Sequence, residues 1–60
     1  MYSIKTNGRT ILNGLGWFEV VALANSMLPE GCFHSEDSLT MVNMVLGRKF
    51  IGLTVERGDA

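Results

Sequence analysis

Hydrophobic and polar residues alternate along Tyr2–Leu12, YSIKTNGRTIL, around a central Asn7-Gly8 pair. In a strand, successive side chains point to opposite faces, so alternation marks a strand with one buried side. Asn-Gly between two such runs signals a hairpin, because both central residues of a type I′ turn need positive φ. Pairing Thr6 with Arg9 sets Lys5 opposite Thr10, Ile4 opposite Ile11 and Ser3 opposite Leu12. Tyr2, Ile4 and Ile11 then share one face, and Ser3, Lys5, Thr10 and Leu12 the other. Asn13-Gly14-Leu15-Gly16 reads as a connector.

From Trp17 the period changes. At 100° per residue, Trp17, Val20, Val21, Ala24, Met27 and Leu28 fall on one stripe, with Glu19, Ala22 and Ser26 opposite. This predicts a helix over 17–28. Gly16 serves as its N-cap, and Glu19 suits the positive end of the helix dipole. Pro29 ends it, since proline cannot continue the bonding pattern and restricts the residue before it. Pro29–Asp37, PEGCFHSED, is a polar loop.

Leu39–Arg57, LTMVNMVLGRKFIGLTVER, admits two readings. In one, Gly47 and Arg48 form a type II′ turn, with Gly47 at the positive-φ position. Thr40, Val42, Met44, Ile51, Leu53 and Val55 then line one apolar face. Leu39, Met41, Asn43, Val45, Phe50, Gly52, Thr54 and Glu56 line the other. The rival is a helix over Ser38–Leu46, capped by Asp37 or Ser38 and stopped by Gly47. The β-branched residues Thr40, Val42 and Val45, and the facial match with Phe50–Val55, favour the hairpin. The expected fold is therefore α+β with order ββαββ. Hairpins 2–12 and 39–57 form a four-stranded, largely antiparallel sheet, and one helix (17–28) covers one face. Residues 1–60 make a single small domain, with no linker, low-complexity tract or repeat.

Size changes how the apolar residues should be read. A chain of 60 residues buries only about 60% of its unfolded surface and is marginal alone. Small folds gain support from disulfides, metals or association. The single Cys32 cannot form an internal disulfide, and one cysteine with one histidine does not make a zinc site. Association is left, and a hydrophobic content of 47% fits it. The net charge of −1 argues against a strongly electrostatic nucleic-acid or membrane-surface binder. No apolar run reaches the ~18 residues of a membrane span, and the start is not of signal-peptide type. With scarce cysteine, this points to a soluble protein of the reducing cytoplasm. The chain begins at Met1 without an obvious tag, which fits a complete small gene product.

Candidate chemistry is sparse. Cys32 and His34 pair a nucleophile with a base, but i and i+2 diverge in extended chain and no motif surrounds them. Glu30, Glu36 and Asp37 lack the ligand pattern of a calcium loop. Gly14 and Gly16 precede a helix, yet the third glycine of a dinucleotide fingerprint would fall on Glu19, wrong for a pyrophosphate. No catalytic residue, cofactor or metal is expected. The surplus is apolar: Leu39, Met41, Val45 and Phe50 would lie uncovered on the outward face of the second hairpin, and such patches mark interaction sites. The expectation is a non-enzymatic interaction or regulatory module. It would dock on a larger protein or form a homodimer, as do modulators encoded by viruses and mobile elements. The alternative is a weak nucleic-acid contact by Arg9, Arg48 and Lys49 at the hairpin tips.

Overall fold

The computed structural model describes residues 1–28 and 33–58. Its elements run β1 (Tyr2–Thr6), β2 (Arg9–Leu15), α1 (Trp17–Met27), α2 (Leu39–Lys49) and β3 (Leu53–Arg57). The sheet has three antiparallel strands in the order β2-β1-β3. The fold is α+β, as expected, but with three strands and two helices in place of four strands and one helix.

The first half follows the alternation. Asn7 (φ 51°) and Gly8 (φ 81°) both take the positive φ that the Asn-Gly turn requires. Thr6 pairs with Arg9 and Lys5 with Thr10. Beyond that, β2 gains residues. Ile4 faces Leu12, not Ile11, and Tyr2 faces Leu15. The two shifts are bulges, the second passing through Gly14 at φ 69°. They carry the strand through the segment expected to be a connector. Helix α1 begins where the stripe predicts, capped by Gly16, whose N–H donates to Glu19 Oε1 at 3.0 Å. Val20, Val21 and Ala24 are buried on its inner face, and Leu28, its C-cap, is buried just beyond them. Pro29, assigned to end this helix, lies outside the described residues.

The second hairpin does not form. Residues 39–49 are helical, and only 53–57 make a strand, which pairs with β1 (Ile4 opposite Val55). Three effects decide this. Ser38 caps the helix, its Oγ accepting from the Met41 N–H at 3.1 Å and its carbonyl from the Val42 N–H. The helical spacing of Val42 and Leu46 buries both completely; each contributes about 1.5–3 kcal/mol. A hairpin would have left Leu46 beside its turn. The opposing cost is Gly47 inside a helix, only about 1 kcal/mol. Gly47 has no positive φ and does not stop the helix, which runs on to Lys49.

The third effect is the Asn43 side chain. Its Nδ2 donates to the Val55 carbonyl at 2.8 Å, and its Oδ1 accepts from the Val55 N–H at 2.7 Å. The amide thus takes the place of a fourth strand along the outer edge of β3. Asn25 does the same for the loop, with Nδ2 to Phe33 O at 3.0 Å and Phe33 N–H to Oδ1 at 2.8 Å. One core results: Ile4, Val20, Val21, Ala24, Leu28, Phe33, Val42, Leu46 and Val55.

The turn between α2 and β3 closes on the β1–β2 turn, Asn7 N–H donating to Gly52 O at 2.9 Å. Gly52 is at φ 87°, a conformation that favours glycine, and a Cβ there would also require the Asn7 side chain to move. Asn43→Ala removes both edge bonds and leaves the Val55 polar groups half-buried without partners. It is expected to lower stability by about 2 kcal/mol in urea unfolding; an unchanged midpoint would show that the bonds contribute nothing.

Candidate protein-binding surface

Helix α2 sorts its residues onto two faces. Val42 and Leu46 point into the core, with Leu39 and Val45 packed half-buried beside them. Thr40, Met41, Met44, Gly47 and Arg48 are exposed on the opposite side. Met41 and Met44 are 38% and 53% exposed. Just beyond the C-terminus, Phe50 is 36% and Ile51 93% exposed. Both methionines lie within one turn of each other, so they form a continuous apolar strip.

Of the four residues expected to form an apolar patch, Met41 and Phe50 are at the surface, while Leu39 and Val45 pack against the core. Conversely Met44 and Ile51, expected to face inward, are exposed. Both changes follow from helix replacing strand, since parity of position no longer sets the face. A 100° projection of the rival helix separates Met44 from Val42 and Leu46, and would have found it. Ile51 sits in the turn, where no periodicity applies.

The outer sheet face, not covered by a helix, is polar. Ser3, Lys5, Thr54 and Glu56 project there by alternation, and Lys5 Nζ lies 3.1 Å from a Glu56 oxygen. A shallow depression of about 420 Å³ opens between Tyr2, Ser3, Thr10, Asn13 and Gly14, beside the β2 bulge. Trp17 packs against Tyr2 with the rings tilted (centroids 5.0 Å apart, planes at 47°) and donates from Nε1 to Ser35 O at 2.7 Å. This bond draws residues 33–38 along α1.

The basic residues considered for nucleic acid do come to one end. Arg9 follows the β1–β2 turn, Arg48 and Lys49 end α2, and the Asn7–Gly52 bond joins the two turns. Glu36 and Asp37 precede the other end of α2. His34 is exposed; its backbone N–H donates to Asp37 Oδ2 at 2.8 Å. Cys32 and Glu30 lie outside the described residues. Among the described residues no three histidine, cysteine or acidic side chains gather as a metal site, and no helix is long and apolar enough to cross a membrane.

No family model, curated protein or solved structure matches this chain.

Gly47 sits on the exposed side of α2 with nothing within 4 Å of where its Cβ would be. In dilute solution Gly47→Ala is therefore expected to stabilise the fold by about 0.5–1 kcal/mol. A type II′ turn at this position would give the opposite sign, so a lowered urea midpoint contradicts the helix.

Proposed function

We propose that this protein is a small, non-enzymatic interaction module that docks on another protein through the exposed strip of α2. The observation that carries the reading is the pair Met41 and Met44, exposed on a helix whose other face supplies the core. Methionine is flexible and polarisable, and it recurs on surfaces that bind helices and grooves. Phe50 and Ile51 extend the apolar area beyond the helix. The surface is convex, suited to insertion into a partner's groove rather than to enclosing a substrate. Regulation of a larger protein, as by modulators from viruses and mobile elements, is the biological role that fits such a module. The cytoplasm is the proposed compartment, on the scarcity of cysteine.

The test compares wild type with Met41→Asp/Met44→Asp as bait in native lysate. Both substitutions lie on the exposed side, so the circular dichroism spectrum should be retained. Binding of any specific partner should weaken roughly tenfold or more, as when central apolar anchors are removed. Equal retention of partners by both baits would refute the reading.

A second reading is favoured by the meeting of Arg9, Arg48 and Lys49 at one end. A basic cluster of this kind contacts phosphates weakly, with affinity that falls as salt rises. Single-stranded DNA or RNA oligonucleotides at low ionic strength should then shift in a gel and be released by salt. Absence of a shift disposes of this reading.

A further inference from the structure

We infer that the partner seated on the α2 strip is a second copy of this chain, its α2 packed antiparallel to the first across a twofold axis at Met44. This rests on the reading of that face as a docking surface and adds what occupies it.

Two observations point to the same occupant. The first is charge. Glu36 and Asp37 precede α2, and Arg48 and Lys49 close it. This placement suits the helix dipole, and it also makes the face complementary to itself when reversed. With the twofold at Met44, Arg48 comes level with Thr40 of the other copy, at the end of that copy's α2 that Glu36 and Asp37 precede. The same pairing recurs at the other end, as a closed twofold interface requires. A parallel arrangement would set like charges side by side.

The second is Gly47. Glycine there costs about 1 kcal/mol relative to alanine. No positive φ requires it, and no neighbour within 4 Å excludes a side chain. In the antiparallel pairing Gly47 comes beside Thr40 of the other copy, on the flank of the strip away from Met41. A missing Cβ next to a short side chain lets the helices approach there, twice per dimer.

Helix α2 has 11 residues, about 16 Å of length. One helical face with Phe50 and Ile51 at its margin falls short of the roughly 800 Å² per partner of a standard interface. The dimer should therefore be in rapid exchange with monomer and be weakened by salt.

Sedimentation equilibrium of the full chain over a wide concentration range tests this. The expected result is reversible monomer–dimer behaviour. Gly47→Leu, which retains helix propensity, should weaken dimerisation at least tenfold, whereas Gly47→Ala should weaken it less. Arg48→Glu should weaken it, and Glu36→Lys added to Arg48→Glu should restore it. A strict monomer at high concentration overturns the inference, as does a dimer indifferent to Gly47→Leu and to the charge reversal. If the chain is monomeric but Met41→Asp/Met44→Asp still loses a different protein from lysate, the inference fails while the docking surface stands. If that variant changes neither behaviour, both fail.

Discussion

The two hydrogen bonds between the Asn43 amide and the backbone of Val55 hold the key position in this fold. A three-stranded sheet has two edges, each a row of unpaired backbone groups. On β3 that row is met by a side chain from α2. The amide can serve because it carries a donor and an acceptor together, as a peptide group does. Once Asn43 faces β3, the helical period places Val42 and Leu46 in the core and Met41 and Met44 outside. The edge of β2 is treated differently: its two bulges distort the ladder against further pairing. Asn25 repeats the device at Phe33, holding the loop against α1.

The first half of the fold was legible because its signals are local. Asn7-Gly8 specifies its turn, and the stripe from Trp17 to Leu28 specifies α1. The β2 bulges were not legible, since nothing in RTILNGL marks an added residue except Gly14. The second half failed for a nonlocal reason. Leu39–Leu46 contains apolar residues at both strand and helix spacing, and Thr40, Val42 and Val45 lean toward strand. What tips it to helix is a bond to Val55, 12 residues away, together with a strand partner for Val55 in β1. Asn43 read as an outward polar residue is unremarkable; read as an edge partner it decides the architecture. Ser38, by contrast, is a cap readable from sequence, three residues before the Met41 N–H that it accepts from.

The same change of element relocates the apolar surplus. The candidate surface passes from a sheet face bearing Leu39 and Val45 to a helix face bearing Met41 and Met44. We propose association as the complement to so small a core, because 60 residues leave little stability in reserve. Arg48 and Lys49 in its last turn, with Glu36 and Asp37 before its start, give α2 a charge direction.

Amide hydrogen exchange at Val55 reports on this edge without interference from the ladder. Val55 lies opposite Ile4 with its own N–H turned away from β1, so the strand ladder cannot protect it. With the Asn43 bond in place, Val55 should exchange slowly, at a rate comparable to its neighbours Thr54 and Glu56, whose amides turn toward β1 by alternation. Fast exchange at Val55 between slowly exchanging neighbours would mean an open edge, and would contradict the role given to Asn43.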